Sequence, residues 1–326
     1  MPANLTPQYE KAEQRYREAA SDEDRLAALR EMLSTIPKHK GTEKLQADIK
    51  RRISQLRKAE GKRGPGRTVD PFHVPRGGAG QVVLVGPPNV GKSMLLSVTT
   101  NAPARVGDYP YTTALPQPGM WNYEDVRIEL VDTPPVAADH VPPGLWNTIR
   151  SADVVCVVVD AADAPLAQAE MVLDLLAARR IELRSAPRTE LASPDGGQYS
   201  GLLLANKADL AAAGDIQALR ELYRGRLDVL AVSAVSGEGL DALLKRLWAL
   251  LSIIRVYTKQ PGRPPDHKRP FTLQAGSTVE DLAREIHREL PEKMKFARVW
   301  GDGRYSGQQV HRTEELRDKD VVEIRE

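Results

Sequence analysis

The sequence predicts an α/β fold with a mainly parallel sheet, preceded by helices and followed by a small α+β domain. Three observations support this prediction. Residues 6–60 have helical periodicity, residues 81–252 alternate short apolar runs with helical patterns, and residues 253–326 combine strands with one helix. With 326 residues, 41% of them hydrophobic and 28% charged, the chain can form two or three domains and is not wholly disordered.

The first region is predicted to be an N-terminal helical hairpin. An apolar stripe at Leu26, Leu29 and residues 32–33 indicates one helix. Pro37 ends that helix, because the residue before a proline is pushed out of the α conformation. A second helix, with Thr42 as its N-cap, has an apolar face surrounded by basic residues.

The middle region alternates strands with helices. This pattern is typical of a parallel sheet, because parallel neighbours need a crossover connection that is usually a helix. The first strand is continuously apolar, as expected for a strand buried on both faces. The predicted strands are 81–85, 126–131, 154–159, 201–205 and 229–232, and the predicted helices are 90–99, 165–179, 210–224 and 240–251.

The C-terminal region has a different pattern. Alternating residues predict strands at 253–258, 271–274, 296–300 and 321–324, with one helix at 279–290. A stretch rich in Gly and Pro before the first apolar strand is typical of a linker. The predicted boundaries are 1–67 for the helical region, 68–80 for the linker, 81–252 for the α/β domain and 253–326 for the α+β domain.

The net charge of +2 conceals a segregation of charge along the chain. Residues 36–67 carry a net charge of +8, whereas residues 81–254 carry −6 and residues 255–326 carry +2. A basic surface beside an acidic domain predicts contact with RNA or the ribosome through residues 36–67 and 255–269. The alternative is a solvated helical face, since charge runs usually are one.

The single cysteine, Cys156, excludes an internal disulfide and is typical of a reducing compartment. No stretch approaches the roughly 18 consecutive apolar residues of a membrane span. The polar N-terminus has no secretory leader pattern. We therefore expect a cytoplasmic protein with no membrane partner.

A glycine-rich segment, GPPNVGKS, occupies residues 86–93, directly after a strand and before a helix. Its glycines let the backbone fold around phosphate, so that N–H groups and the helix N-terminus face the anion. In such a P-loop we expect Lys92 to reach the β- and γ-phosphates and Ser93 to bind Mg²⁺. The residues expected at the phosphates are Pro88, Asn89, Val90, Gly91, Lys92, Ser93 and Met94.

A second motif, NKAD, follows the strand at 201–205. The Asp209 carboxylate can accept two hydrogen bonds from N1–H and the N2 amine of guanine, a donor pair that adenine lacks. A buried acceptor left unpaired costs about 1–3 kcal/mol, so this motif favours guanine over adenine. The predicted guanine-binding residues are Asn206, Lys207, Asp209, Ser233 and Ala234, the last two in the loop that closes over the base.

Two further residues complete a predicted Mg²⁺ site. Asp132 ends the strand at 126–131 and can hold the ion through a water. Thr113, in the segment YPYTT, can complete the coordination shell when a triphosphate is bound. The predicted metal ligands are therefore Ser93, Thr113 and Asp132.

The order GPPNVGKS, YTT, DTPP, NKAD, SA resembles the translation-factor-related GTPases. The YPYTT segment is similar to the Obg family and, within it, to the developmentally regulated GTP-binding proteins. The segments IRVYTK at 254–259 and ARVWG at 297–301 resemble their TGS domain, which implies a ubiquitin-like β-grasp fold. The resemblance implies a GTPase that uses Mg²⁺ and acts in translation, with a protein partner for the TGS domain as an open alternative.

Two departures from the family pattern stand out. The family has a glycine at position 135 whose amide contacts the γ-phosphate, but proline has no N–H to donate. Only 73 residues lie between the DTPP motif and Asp209, too few for the additional domain inserted in the developmentally regulated proteins.

A third departure, at position 136, concerns the hydrolysis step. Val136 stands where Ras-type enzymes have a glutamine that orients water, and it cannot do so. The resemblance implies K⁺ instead, held in part by a P-loop asparagine, and Asn89 stands at the matching position. The alternative is that Asn89 is a turn residue. The expected catalytic residues are Lys92, Thr113 and Asn89.

A second function remains open. Pro135 favours a guanine-nucleotide-binding adaptor for RNA or protein, without a nucleotide switch and with little or no hydrolysis. Asp209 disfavours a third interpretation, an ATPase.

Overall fold

A computed structural model describes residues 7–18, 22–36, 42, 46–54, 70–100, 115–191 and 196–325. The chain divides into two compact units, Met1–Asp70 and Pro71–Glu326. No helix within the described ranges is long and apolar enough to cross a membrane.

The described residues of the first unit contain three helical segments where the sequence predicts a hairpin. These are α1 (Pro7–Glu18), α2 (Asp22–Thr35) and α3 (46–54). An exposed ion pair joins Arg15 of α1 to Glu31 of α2 at 2.9 Å. The helices share one small apolar core, made of Tyr9, Ala12, Leu29, Met32, Ile36 and Ile49.

A seven-stranded sheet forms the larger part of the second unit. Its order is β2-β3-β1-β4-β6-β5, with β5 beside the start of β6 and β7 beside its end. All pairs are parallel except β2–β3, which is antiparallel. The strands are β1 (Gln81–Val85), β2 (Gln117–Tyr123), β3 (Val126–Asp132), β4 (Val154–Asp160), β5 (Glu182–Arg184), β6 (Gln198–Asn206) and β7 (Val229–Ala231).

Helices cover both faces of this sheet. The alternation of side chains along β1 sends Val83 to one apolar core and Val82 to the other. The helices α5 and α6 pack in the first core, and α4 and α8 pack in the second. The helices are α4 (Lys92–Thr99), α5 (Leu145–Ser151), α6 (Pro165–Ala177), α7 (Ala213–Leu222) and α8 (Leu240–Leu251).

Residues 71–80, whose composition predicts a linker, pack along the sheet. The Gly77 amide donates to Glu129 Oε2 at 3.1 Å, and the Thr148 hydroxyl donates to the carbonyl of Phe72 at 2.7 Å. Residues 71–80, which we call the strap, therefore belong structurally to the domain that follows them.

The C-terminal part of the second unit is a five-stranded sheet of order β11-β10-β12-β8-β9. Its central pair, β8 and β12, is parallel and the other pairs are antiparallel, which is the topology of a β-grasp fold. A capping box of Thr278 and Asp281 begins α9. The elements are β8 (Ile253–Thr258), β9 (Asp266–Gln274), α9 (Val279–Ile286), α10 (Leu290–Lys293), β10 (Phe296–Trp300), β11 (Gln308–Val310) and β12 (Asp320–Arg325).

A buried arginine joins the two sheets. Arg255 on β8 is 2% exposed, and its Nη1 lies 2.5 Å from Glu124 and 3.0 Å from Asp125, at the turn between β2 and β3. Its Nη2 lies 2.6 Å from Asp318, and its guanidinium stacks 5.1 Å above the ring of Trp248. The hydrogen bond from Arg255 lowers the pKa of the Glu124 carboxyl.

We predict that Arg255→Met lowers the thermal unfolding midpoint of the protein. The substitution leaves three carboxylates without their shared cation, at a cost of about 2–3 kcal/mol, or roughly 5–10 °C. Differential scanning calorimetry of the full chain measures this. Arg284→Met is the matched control, because its ion pairs with Glu280 and Asp281 are exposed and worth less than about 1 kcal/mol. Equal midpoints for the two variants would contradict the prediction.

Candidate nucleotide-binding site

The predicted site residues follow the carboxyl ends of parallel strands. The chain proceeds from β1 to one side of the sheet, towards β3, and later to the other side, towards β4. Crevices at such a topological switch point are the usual ligand sites of open α/β sheets. The loops after β1, β3, β6 and β7 carry the residues that sequence patterns select.

Both glycines of the P-loop are required by close contacts. A Cβ on Gly86 would lie 2.2 Å from the carbonyl oxygen of Val158 on β4. Gly91 has a φ of +89°, and a Cβ there would lie 2.4 Å from Nδ2 of Asn206. Because prolines lack an N–H, amide donors for phosphate begin at Asn89.

Lys92 lies inside the loop, only 6% exposed. Its Nζ donates to the carbonyls of Gly86 and Pro87 at 2.9 and 2.8 Å. Burial lowers its pKa to about 8, and the nearby Asp132 carboxylate opposes that shift. The first turn of α4 contains no Asp or Glu, so its N-terminus is electrostatically suited to an anion.

Ser93 and Asp132 meet beside the P-loop, where the Ser93 hydroxyl lies 2.6 Å from Asp132 Oδ2. A hydroxyl and a carboxylate are oxygen ligands of the kind that Mg²⁺ prefers. These two residues therefore fit the predicted ion. The third predicted ligand, Thr113, lies outside the described residues.

Asn206 connects the phosphate loop to the loop expected to close over the base. It is 1% exposed, and its Nδ2 donates to the carbonyl of Val90 at 2.8 Å. Its Oδ1 accepts from the amide of Ala234 at 3.2 Å. One side chain thus holds two of the predicted binding segments together.

Hydrogen bonds within the loop after β7 stabilise its conformation. Ser233 is fully buried, its amide donates to the carbonyl of Glu238, and its hydroxyl accepts from the amide of Ser236 at 3.1 Å. Asp209 is exposed in the neighbouring loop, where a base can reach its carboxylate.

Sequence reasoning missed Asp160, the last residue of β4. Its Oδ2 lies 2.5 Å from Nζ of Lys207, whose backbone has a left-handed φ of +61°. An aspartate at the carboxyl end of a parallel strand is a signal that could have found it, since site residues collect at that edge.

Pro88, Asn89 and Met94, which are also predicted at the phosphates, are more exposed than Lys92. Asn89 is exposed at the rim of the P-loop with a φ of +63°, a conformation that asparagine tolerates better than most residues. This geometry suits the turn role and leaves the K⁺ role as a hypothesis. Pro88 and Met94 are half-buried on either side of the loop.

The DTPP segment is held against the P-loop. Pro135 and Val136 are both buried, and the Val136 amide donates to the carbonyl of Gly86 at 3.1 Å. The first amide after the two prolines is therefore paired with the loop that would bind phosphate.

Comparison with known proteins identifies two domains. The family model described as 50S ribosome-binding GTPase matches residues 81–185, and that of the TGS domain matches residues 254–326.

Relatives match nearly the whole chain. An uncharacterized GTP-binding protein of Halobacterium salinarum is 30% identical, covering 93% of this chain and 98% of the relative. Developmentally-regulated G-protein 1 of Arabidopsis thaliana is 27% identical, covering 92% and 90%. Developmentally-regulated GTP-binding protein 2 of Bos taurus is 24% identical, covering 92% and 98%.

The alignment with the Halobacterium protein extends over 363 positions, more than the 326 residues of this chain. That relative therefore carries residues with no counterpart here, in agreement with the short distance between DTPP and Asp209. Among solved structures, the G domain of the T. maritima FeoB iron transporter is 24% identical over 51% of this chain and 95% of that chain, with a TM-score of 0.36.

We predict that Asn206→Ala weakens GDP binding by at least about tenfold. The change leaves the carbonyl of Val90 and the amide of Ala234 unpaired, and each unpaired buried group costs about 1–3 kcal/mol. Isothermal titration calorimetry measures the affinity. Gln217→Ala is the control, because it removes an exposed amide whose partner among the described residues is Glu221 on α7. A loss of affinity shared equally by both variants would contradict the role of Asn206.

We also predict proton uptake when nucleotide binds at alkaline pH. Lys92 has a pKa of about 8 in the nucleotide-free protein, and phosphate oxygens would stabilise its charged form and raise that pKa. Uptake should be about 0.7 proton at pH 8.5 and about 0.1 at pH 7, so affinity should fall as the pH rises above 8. Titrations of GDP in buffers of different ionisation enthalpy measure it; equal uptake at both pH values contradicts the prediction.

Proposed function

The chain belongs to the family of the developmentally regulated GTP-binding proteins, and on that premise we propose that it hydrolyses GTP to GDP and phosphate with Mg²⁺. We propose in addition that it acts in the cytoplasm, in translation or ribosome function, through nucleotide-dependent contact with RNA or the ribosome. The description of the matching family as 50S ribosome-binding GTPase supports the proposed role at the ribosome.

The Asn206 bridge is the observation that supports the proposal most. It brings the NKAD loop, the Ser233–Ala234 loop and the P-loop to one end of the sheet, and Lys92 lies within the P-loop. Such an arrangement can bind the base and the phosphates of one nucleotide at the same time.

Ser93 and Asp132 would hold Mg²⁺, which would supply positive charge to balance that of the phosphates. Lys92 adds a second positive charge, once it leaves the two carbonyls that it contacts. Asn89, exposed at the rim, is the candidate for positioning K⁺. Thr113 is proposed as the ligand that senses the triphosphate.

The proposed RNA surface has two parts. Most of the basic segment 36–67 lies outside the described residues. In the segment 255–269, which runs from β8 into β9, Arg263 and Arg269 are exposed, but Arg255 is buried in ion pairs and Lys259 stacks 4.2 Å above the Trp300 ring. Only part of the positive charge of this segment is therefore available to RNA.

The alternative function is a non-switching adaptor that binds guanine nucleotide without hydrolysing it. Pro135 favours it, because this position has no amide for the γ-phosphate and the next amide, of Val136, is already paired with Gly86. An adaptor would bind GDP and GTP with equal affinity.

We expect Lys92→Ala to abolish single-turnover hydrolysis of GTP by the full chain. The loss should exceed about a hundredfold, because the lysine charge acts on the transferred phosphoryl group. Phosphate release from a preformed GTP complex measures it, with Lys245→Ala on the outer face of α8 as the control. Tight GTP binding by the wild type without turnover would instead support the adaptor, and displacement of GTP by ATP would revive the ATPase.

The same assay in KCl and in NaCl tests the role of Asn89. If the asparagine helps to hold K⁺, the wild type should be faster in KCl and Asn89→Ala should lose that difference. Equal rates of the wild type in the two salts would exclude K⁺ stimulation and leave Asn89 as a turn residue.

A further inference from the structure

The amino-terminal edge of the larger sheet, at the opposite end from the nucleotide loops, carries a row of arginines. In a parallel sheet the strands begin at this edge and the helices that connect them end there. The four neighbouring strands β1, β4, β6 and β5 span about 15 Å across it. We call this surface the arginine edge; its members, all exposed or half-exposed, are Arg76, Arg150, Arg179, Arg180, Arg184 and Arg188.

Contacts connect the members of the arginine edge to one another. Arg76 Nη2 and Arg188 Nη1 lie 3.1 and 2.9 Å from the same carboxylate oxygen, Oδ1 of Asp153. Arg76 also donates to the carbonyl of the residue that follows Arg150. Arg150 in turn donates from Nη2 to the carbonyl of Arg179 at 3.0 Å. These contacts therefore place Arg76, Arg150, Arg179 and Arg188 next to one another.

The remaining two arginines extend this surface along β5. Arg180 lies two residues before the start of the strand, and Arg184 ends it with its Nη2 2.6 Å from Glu182. A guanidinium carries five N–H donors, and these ion pairs use one or two of them. Arg76, Arg184 and Arg188 keep 55%, 39% and 43% of their side chains exposed, so donors remain available to a ligand.

Helix dipoles account for only part of the arginine edge. Arg150 lies in the last turn of α5 and Arg179 follows α6, where a cation is favoured by about 0.3–1 kcal/mol. Arg76, Arg184 and Arg188 are not at the end of an α-helix. All six positions are arginine and none is lysine, although residues 81–254 as a whole carry a net charge of −6.

We propose that the arginine edge is an RNA-binding surface that contacts the phosphate backbone. Guanidinium groups bind phosphate with two parallel hydrogen bonds, which lysine cannot do. Interfaces with nucleic acids are polar and strongly positive, whereas protein interfaces are built around apolar and aromatic anchors. The inference rests on the proposed function, to whose two RNA-contacting segments it adds a surface of the GTPase domain itself.

Fluorescence anisotropy with a labelled RNA hairpin tests the proposal, using the full chain with GDP over a series of KCl concentrations. The variant Arg180→Gln/Arg184→Gln/Arg188→Gln should bind at least about tenfold more weakly at 0.1 M KCl, and its salt slope should fall by about 2–3. The matched control, Arg284→Gln/Arg288→Gln/Lys293→Gln, removes the same charge from exposed positions in and after α9. GDP affinity, read at the distant nucleotide site, reports whether each variant is folded.

The outcomes separate this proposal from the one on which it rests. If both triple variants bind RNA alike, the arginine edge is not the RNA surface, but the proposed function stands. If polyglutamate displaces the hairpin as well as unlabelled RNA does, the edge binds acidic polypeptides and the proposal fails. If the wild type binds GDP but no RNA, the RNA part of both proposals fails. Should the triple variant lose GDP binding, Arg184→Gln alone must still lower the salt slope by about 1.

Discussion

The nucleotide site depends on one buried amide, that of Asn206. Its two hydrogen bonds join the carbonyl of Val90 in the P-loop to the amide of Ala234 in the base loop. The contact is so close that position 91 has no space for a side chain, which makes Gly91 part of the same constraint. The strand register places Asn206 at the end of β6, opposite Asp160 on β4, so the sheet itself sets where the two loops meet.

The sequence predicts the centre of the larger sheet well because burial leaves a strong local signal there. Runs such as Val154–Val159 are apolar on both faces, and the structure extends that strand by only one residue. The edge strand β2 contains Pro118 and Gly119 and is only partly buried, so its residues carry neither an apolar run nor an alternation. β5 and β11 have three residues each, too few for any periodicity.

In the site, too, residues that belong to a local motif can be predicted, whereas contacts between residues distant in sequence cannot. Lys92 and Ser93 are recognisable because a strand, a glycine-rich loop and a helix follow one another in sequence. The pairing of Lys207 with Asp160 and of the Val136 amide with Gly86 joins residues 47 and 50 positions apart, and no local pattern encodes it. The packing of the strap at residues 71–80 could not be predicted from the sequence either. Gly and Pro are compatible both with a free linker and with an extended segment that packs against a domain.

The Arg255 contact has a consequence for where the protein can be divided. The TGS match begins at residue 254, but Arg255, the next residue, is neutralised by Glu124 and Asp125 of the other sheet. A chain cut at that boundary would present two uncompensated carboxylates on one fragment, beside the stacked rings of Tyr123 and Trp248. The cut would therefore expose aromatic rings and unpaired acidic groups, and we expect a fragment that ends at residue 252 to be less stable than one that extends through the TGS domain.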